Sequence, residues 1–311
     1  MADVVISEFL DEEAVDLLSA DFDVFYDPDL VNRIGELHER LQDCRGLIVR
    51  NRTQVRPPLL DAGQNLIIVG RLGVGLDNID MEACEARGVM VQPARGTLEE
   101  SVSEYVMGTM LVMLRQAMYG ATEEVRAGTW PRTKVIGREA KCQTLGLVGF
   151  GIIGREVAKR AGAFGMRMLA YDPYVKDDDP LWTELGVTPA TLDDVLSEAD
   201  VVTLSVPRTE GTHHLIDAKA LARMKPDSML INTARGGVVD DAALAQALND
   251  GQSGNAVIAV FEDEPLPAGN VFDGIQNVNL TPHSAGLTDE ALLRSSMMIA
   301  NAVHDALSEK G

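Results

Sequence analysis

Cysteine, aromatic residues and long apolar runs are all scarce in this sequence of 311 residues. The three cysteines, Cys44, Cys84 and Cys142, are far apart and lack the spacing of metal ligands. We therefore expect reduced thiols in a cytoplasm and no metal site. No apolar run approaches membrane-spanning length. Residues 1–6 have neither the basic start nor the small-residue cleavage site of a signal peptide.

Positive charge is also scarce. The chain has 27 Lys and Arg against 48 Asp and Glu, which gives a formal net charge of -21, and lysine is rarer than arginine. Nucleic acids and anionic membranes would repel such a chain, so we expect neither as a partner. The acidic composition is typical of proteins that stay soluble in high salt. The length suffices for two domains, and 46% apolar residues suffice for a core in each.

The first third of the chain alternates short apolar runs with helix-length segments, which predicts an α/β domain with a mostly parallel sheet. Ligands in such sheets bind beyond the carboxyl ends of the strands. Arg50 and Arg52 follow the third predicted strand, and Gly73, Val74 and Gly75 follow the fourth. Guanidinium groups and bare backbone N–H groups could together bind a small anion. The predicted strands are 4–6, 24–26, 47–49, 66–69 and 89–91, and the helices include 11–19, 28–43 and 81–86.

Residues 144–154, TLGLVGFGIIG, form an apolar run that ends in closely spaced glycines. This pattern predicts a strand, a turn and a helix. Gly149 would permit the tight turn, Gly151 would let a pyrophosphate approach bare backbone, and Gly154 would let the helix pack close to its strand. A second predicted strand, 167–171, ends in Asp172, where an acid can bind the adenosine ribose. A carboxylate there would repel a 2'-phosphate. The unit therefore predicts NAD as the cofactor rather than NADP.

A long helix, 100–116, and the start of another, 122–127, are predicted between the α/β units and suggest a domain connector. The second unit is predicted to run from about residue 97 to residue 286 with six strands, near Thr144, Arg167, Val201, Met229, Ala256 and Val278. A final helix, 289–307, has no strand partner and is expected to pack back across the domains. These patterns predict a domain of residues 1–96 plus 287–311 and a second of residues 97–286.

An arginine, a run of acids and an imidazole follow the last three predicted strands: Arg235, then Glu262, Asp263 and Glu264, and then His283. These are the groups that hydride transfer to a 2-oxo acid requires. The guanidinium can bind the substrate carboxylate and polarise the reacting carbonyl. The imidazole can supply a proton in reduction and accept one in oxidation. A carboxylate bonded to its other nitrogen fixes the tautomer and favours the protonated form.

These residues resemble the D-isomer-specific 2-hydroxyacid dehydrogenases, a family that includes phosphoglycerate dehydrogenase, hydroxypyruvate reductase and sulfolactate dehydrogenase. The likeness covers nearly the whole chain. It implies two doubly wound parallel-sheet domains, a flavodoxin-like substrate domain and a Rossmann NAD-binding domain, with the active site in the cleft between them. The motifs that carry it are RLGVGLDNID (71–80), TLGLVGFGIIG (144–154), MKPDSMLINTARGGVVD (224–240), VFEDEP (260–265) and LTPHSAG (280–286).

The resemblance also implies the role of individual residues. Arg235 would bind substrate and act in catalysis, His283 would be the acid and base, and Glu264 would be its partner. Substrate contacts are implied at Gly73, Val74 and Gly75, and a homodimer is implied through the NAD-binding domain. Cofactor contacts are implied at Gly149, Gly151, Ile152, Ile153, Gly154, Asp172, Val206, Pro207, Thr212, Thr233, Ala234, Arg235, His283 and Ala285.

The chain departs from the family pattern at two positions near the expected nicotinamide. Ala259 replaces the usual Asp, and Leu98 replaces the usual Asn. One lost bond to a neutral amide costs about 1 kcal/mol, or about fivefold in affinity. The alternative interpretation is a non-catalytic NAD(H)-sensing protein of corepressor type, which the two departures favour and the intact Arg235, Glu264 and His283 disfavour. A formate dehydrogenase is disfavoured because that group lacks the Glu264 type of partner.

The substrate remains open among several acids. Arg50 and Arg52 are candidates for binding a second anionic group, because arginine suits carboxylate, phosphate or sulfonate. Residues 49–55, VRNRTQV, most resemble sulfolactate dehydrogenases of the family, with phosphoglycerate and hydroxypyruvate or glycerate as rival substrates.

Overall fold

A computed structural model describes residues 2–116 and 120–309. Its strands are β1 (Val4–Ile6), β2 (Val24–Tyr26), β3 (Gly46–Val49), β4 (Ile68–Arg71), β5 (Met90–Pro93), β6 (Thr144–Val148), β7 (Arg167–Tyr171), β8 (Val187–Pro189), β9 (Val201–Leu204), β10 (Met229–Asn232), β11 (Asn255–Ile258) and β12 (Val278–Leu280). Its helices are α1 (Glu12–Ser19), α2 (Ile34–Arg40), α3 (Pro57–Ala62), α4 (Met81–Ala86), α5 (Glu99–Leu114), α6 (Thr122–Arg126), α7 (Ile152–Ala163), α8 (Pro180–Glu184), α9 (Leu192–Glu198), α10 (Ala218–Leu221), α11 (Asp241–Asn249) and α12 (Asp289–Glu309).

The chain divides into two compact units. The first comprises Met1–Leu98 with Leu287–Gly311, and the second comprises Glu99–Gly286. Of the domains predicted from sequence, residues 1, 310 and 311 of the first and residues 117–119 of the second lie outside the described residues. Within the described residues, no helix is both long and apolar enough to cross a membrane.

The first unit contains a parallel sheet in the order β2-β1-β3-β4-β5. This is the flavodoxin-like order, so the predicted fold class is confirmed for this unit. β1 is entirely buried, because helices cover both faces of the sheet. Val5 joins the core cluster that contains Leu37 and Leu60 on one face. Val4 and Ile6 join the opposite cluster, in which Ile299 and other residues of α12 lie.

The second unit contains a parallel sheet in the order β12-β11-β10-β9-β6-β7-β8. The order reverses between β6 and β9, which is the switch point of a doubly wound dinucleotide fold and confirms the predicted class. The sheet has seven strands among the described residues, not the six predicted. The missed strand, β8, pairs with β7 at the edge. It has only three residues and ends in proline, so it gives almost no apolar signal.

Candidate active site

The predicted glycine turn joins β6 to α7. Gly149 has a φ of +97°, a left-handed conformation that favours glycine. A Cβ on Gly154 would lie 2.4 Å from the carbonyl oxygen of Gly149, so this glycine lets α7 start close to its strand. A Cβ on Gly151 would meet no heavy atom within 4 Å, and no side chain caps the helix there. Bare backbone at the amino end of α7 is therefore open to an anion.

Asp172 follows β7 and is tied to the glycine turn. Its Oδ2 accepts a hydrogen bond of 2.8 Å from the backbone N–H of Phe150, and its Oδ1 accepts one of 2.9 Å from Tyr174. These bonds orient the carboxylate and leave acceptor capacity for hydroxyl groups. The carboxylate and the glycine turn thus form one surface in the second unit, as a dinucleotide site requires.

The remaining predicted cofactor residues have varied surroundings. The Thr212 hydroxyl donates a hydrogen bond of 2.6 Å to the carbonyl oxygen of Pro207, so this side chain closes the loop after β9. The Thr233 hydroxyl oxygen is buried and has no partner among the described residues. The other positions range from exposed Ile152, through half-buried Ile153 and Val206, to buried Ala234 and Ala285.

Arg235, Glu264 and His283 follow β10, β11 and β12, which are neighbours in the parallel sheet. The three residues therefore leave the same edge of that sheet. The Nδ1 atom of His283 lies 2.8 Å from the Oε2 atom of Glu264. The backbone N–H of His283 donates a 2.8 Å bond to the carbonyl oxygen of Ala259, which anchors the imidazole to the end of β11.

Glu264 is held in its charged form. Burial alone would raise the pKa of Glu264. The hydrogen bond and charge of His283, the N–H of Phe261 and the charge of Arg235 oppose burial and bring the pKa below its ordinary value. The ionised carboxylate accepts the Nδ1–H bond of His283, which leaves Nε2 of the imidazole for proton exchange. This pair can act as an oriented acid and base.

The turn that carries Arg235 is tightly constrained. The Asn232 side chain accepts a 3.0 Å bond from the N–H of Ala234. A Cβ on Gly236 would lie 1.6 Å from the carbonyl oxygen of Phe261, so only glycine fits there. Arg235 Nη1 donates a 2.6 Å bond to the carbonyl oxygen of Ala234. Asn232 supports the turn but was missed in the sequence analysis, although a polar residue that ends an apolar strand is a usable signal.

Three acids follow β11 in sequence, and the structure distinguishes them. Glu262 lies 3.0 Å from Nε2 of His214 and does not pair with His283. Its N–H donates a 3.2 Å bond to Asp241, whose side chain is mostly buried. Glu264 alone of the three bonds to His283. The second histidine and carboxylate group was also missed, because nothing in the local sequence links residues 214, 241 and 262.

The candidate anion-binding residues of the first unit follow adjacent strands. The half-buried Arg50 guanidinium lies over the ring of Phe9, 5.7 Å from its centroid, and exposed Arg52 donates a hydrogen bond to Asn32. Burial lowers the pKa of Arg50, and the charge of Glu8 opposes that change.

Gly73, Val74 and Gly75 follow β4. Arg71 Nη1 would lie 1.5 Å from a Cβ on Gly73, so the guanidinium of Arg71 rests against this turn. Arg71 is a further cation beside the predicted anion-binding backbone. Its position at the end of β4 is a signal that could have identified it in the sequence.

The chain is similar to known proteins over nearly its whole length. The model of the D-isomer specific 2-hydroxyacid dehydrogenase, NAD binding domain, matches residues 107–285. The chain is 49% identical over 309 residues to an (S)-sulfolactate dehydrogenase of Chromohalobacter salexigens, with 99% of each chain covered. It is 36% identical to a D-3-phosphoglycerate dehydrogenase of Synechocystis sp., covering 99% of this chain but only 54% of that protein's length.

A solved structure has the same fold. The D-lactate dehydrogenase of Aquifex aeolicus, complexed with NAD and lactic acid, superposes with a TM-score of 0.83 at 28% identity. The match covers 98% of this chain and 96% of that chain.

Proposed function

Because this chain belongs to the D-isomer specific 2-hydroxyacid dehydrogenase family and is an NAD-dependent oxidoreductase, we propose that it interconverts sulfolactate and sulfopyruvate. The observation that carries the catalytic part is the 2.8 Å contact between His283 and Glu264 beside Arg235. The 49% identity to an (S)-sulfolactate dehydrogenase over nearly the full length supports the choice of substrate. Arg50 and Arg52 supply two cations suited to a second anionic group.

The stereochemistry is consistent with this substrate. In lactate the carboxyl group outranks the methyl group, so D-lactate is the R isomer. In sulfolactate the sulfur-bearing carbon outranks the carboxyl carbon, so the same spatial arrangement is named S. A family specific for D isomers can therefore include an (S)-sulfolactate dehydrogenase without any change of the face that accepts hydride.

Each proposed catalytic residue has a defined task. NADH, when bound, supplies hydride to C2 of the 2-oxo acid. Arg235 binds the substrate carboxylate and polarises the reacting carbonyl. His283 donates its Nε2 proton to the carbonyl oxygen during reduction and accepts it back during oxidation. Glu264 keeps Nδ1 protonated and stabilises the imidazolium by its charge.

The second unit is the proposed NAD domain, and the first, with Arg50, Arg52 and the 73–75 turn, is the proposed substrate domain. The space around Gly151 and the uncapped amino end of α7 suit a pyrophosphate. The carboxylate of Asp172 suits a ribose with a free 2'-hydroxyl. The buried Thr233 hydroxyl supplies a further hydrogen-bonding group. The other proposed contacts are Gly149, Ile152, Ile153, Gly154, Val206, Pro207, Thr212, Ala234 and Ala285.

The two departures affect cofactor placement rather than the acid and base. Ala259 offers no side chain to hold the nicotinamide amide, but its carbonyl oxygen still anchors the N–H of His283. Leu98 likewise lacks a hydrogen-bonding side chain. For each lost bond, we expect this chain to bind NADH about fivefold more weakly than a family member that has the usual Asp or Asn.

Two properties of the protein in the cell belong to the same proposal. We expect a homodimer joined through the NAD domain, where Trp130 and Ile136 are each 76% exposed and would gain from burial against a second copy. We expect a cytoplasmic location, because Cys44, Cys84 and Cys142 form no disulfide.

The test is NADH oxidation with sulfopyruvate, phosphohydroxypyruvate, hydroxypyruvate and pyruvate, repeated with NADPH. The proposal predicts the highest kcat/KM for sulfopyruvate with NADH. A higher value for another acid would reassign the substrate. Tight NADH binding without turnover of any acid would instead indicate the NAD(H)-sensing alternative, which none of the relatives described above supports.

A further inference from the structure

Glu8 is a buried carboxylate that the proposed reaction leaves without a role. It lies two residues after β1 and is only 5% exposed. Its Oε1 accepts bonds of 2.9 Å from the N–H groups of Arg50 and Thr53, and its Oε2 accepts one of 3.2 Å from Arg52. A buried charge is costly unless it is hydrogen-bonded, and these three amides supply that compensation.

Glu8 also lies where the sheet favours a ligand site. β1 and β3 are neighbours in the order β2-β1-β3-β4-β5, and the switch point of a flavodoxin-like sheet lies between them. The turn after β3 carries Arg50 and Arg52. Glu8, which follows β1, joins the two loops that border the switch point.

The same turn is held from its carbonyl side. The Asn78 side chain donates bonds of 3.0 Å and 2.7 Å to the carbonyl oxygens of Arg50 and Thr53. The Ser7 and Thr53 hydroxyls lie 2.9 Å apart and are buried. Amides and carbonyls of one short segment are therefore fixed by separate buried side chains, which leaves the turn little freedom.

This arrangement has an electrostatic consequence. Converging backbone N–H groups form an anion site, and here the carboxylate of Glu8 already fills it. A substrate anion therefore has to bind the guanidinium groups of Arg50 and Arg52, not the amides of their turn. The negative charge of Glu8 near these arginines would by itself weaken their binding of an anion. Glu8 can therefore favour anion binding only by fixing the position of Arg50 and Arg52.

We propose that Glu8 is a positioning residue that holds Arg50 and Arg52 for the second anionic group of the substrate. This inference rests on the proposed function and extends it to a residue that touches no substrate. Its removal should loosen the turn and impair doubly anionic substrates selectively, because a monoanionic 2-oxo acid does not require the two arginines. Both carboxylate oxygens of Glu8 accept N–H groups, whereas a glutamine side chain has only one acceptor oxygen, so Glu8→Asp should recover part of the loss that Glu8→Gln causes.

The experiment measures KM and kcat with NADH for sulfopyruvate and pyruvate in wild type, Glu8→Gln, Glu8→Ala and Glu8→Asp. We expect Glu8→Gln to raise KM for sulfopyruvate about tenfold, with kcat changed less than about threefold. The KM for pyruvate and the Kd of NADH should change less than about threefold. Asp3→Asn is the matched control, since Asp3 precedes the same strand and accepts one backbone N–H, from Asp23.

The outcomes separate the two proposals. A wild type that does not prefer sulfopyruvate over pyruvate would overturn the proposed function, and the selective role of Glu8 with it. A wild type that prefers sulfopyruvate, with Glu8→Gln impairing both acids equally or neither, would overturn the Glu8 proposal alone. Thermal unfolding and NADH binding identify any variant that fails to fold, and the isosteric Glu8→Gln decides the question if Glu8→Ala is lost.

Discussion

His283 and Glu264 are 19 residues apart in sequence, yet their side chains lie 2.8 Å apart at the ends of neighbouring strands. The bond assigns a proton to Nδ1 and reserves Nε2 of the imidazole for chemistry. The carboxylate pKa lies below its ordinary value, so this orientation persists to lower pH than an isolated glutamate would allow.

Glu264→Gln tests whether charge at this position matters. The amide cannot stabilise the imidazolium, so we expect kcat for reduction to fall about 10²-fold at neutral pH. Glu262→Gln is the matched control, because Glu262 bonds to His214. A Glu264→Gln enzyme that keeps the kcat of wild type would contradict the role of Glu264.

Gly151→Ala tests the proposed pyrophosphate site. A Cβ at this position meets no protein atom within 4 Å, so the fold should tolerate it. It would occupy the space of the phosphate, and we expect the Kd of NADH to rise about tenfold or more. Gly108→Ala, also free of contacts, should leave NADH binding unchanged. The measurement is fluorescence titration with NADH, and unaltered affinity in Gly151→Ala would place the pyrophosphate elsewhere.

Asp241 gives a pH-dependent effect on stability. Burial raises the pKa of Asp241 from 3.8 to about 6. The negative charges of Glu262 and Asp240 also raise this pKa, while the N–H of Glu262 and the charge of His214 lower it. The folded protein binds this proton more tightly than the unfolded chain does, so stability falls as pH rises from about 4 to about 6.

We expect Asp241→Asn to stabilise the protein at pH 8 by about 1 kcal/mol. This is less than the free energy that corresponds to the whole pKa shift, because solvent screens part of the charge. The gain should shrink toward pH 4, and thermal unfolding at both pH values measures it. Asp217→Asn is the control, because the pKa of Asp217 is lowered, mainly by the N–H of Ala220. A variant no more stable than wild type at pH 8 would contradict the prediction.

Arg52→Ala tests recognition of the second anion. Arg52 is exposed and contacts Asn32 through its side chain, so its removal should not unfold the first unit. We expect KM for sulfopyruvate to rise about tenfold or more, while KM for pyruvate changes little. Arg56→Ala, which removes another exposed cation of the same unit, is the matched control. Equal losses on both acids would refute an anion-specific role.

The sequence predicted the sheets well because buried parallel strands are continuous apolar runs. Arg235 and His283 could be named because each follows such a run, and strand ends of a parallel sheet share one edge. The same pattern predicted an acid after β11 but left Glu262, Asp263 and Glu264 as alternatives. The edge strand β8 was missed, since Val187, Thr188 and Pro189 carry no periodic signal. The 28–43 helix was too long: a 3-10 turn at Leu30–Asn32 precedes a helix that spans only Ile34–Arg40.

The contacts of Glu8 could not be predicted from sequence. They join residues 42 to 45 positions apart, and no local pattern tells which buried acid will meet which backbone N–H. The choice of Glu264 over Glu262 as the partner of His283 came from family resemblance alone. The structure distinguishes the two acids, because Glu264 lies 2.8 Å from His283 and Glu262 lies 3.0 Å from His214.

The most direct measurement of the central claim is NADH oxidation with sulfopyruvate by wild type and His283→Ala. The account predicts that the variant binds NADH, folds as wild type does and loses about 10²- to 10⁴-fold in kcat. His304→Ala, in the first unit, should retain wild-type kcat. A His283→Ala enzyme that turns over sulfopyruvate at the wild-type rate would contradict the account.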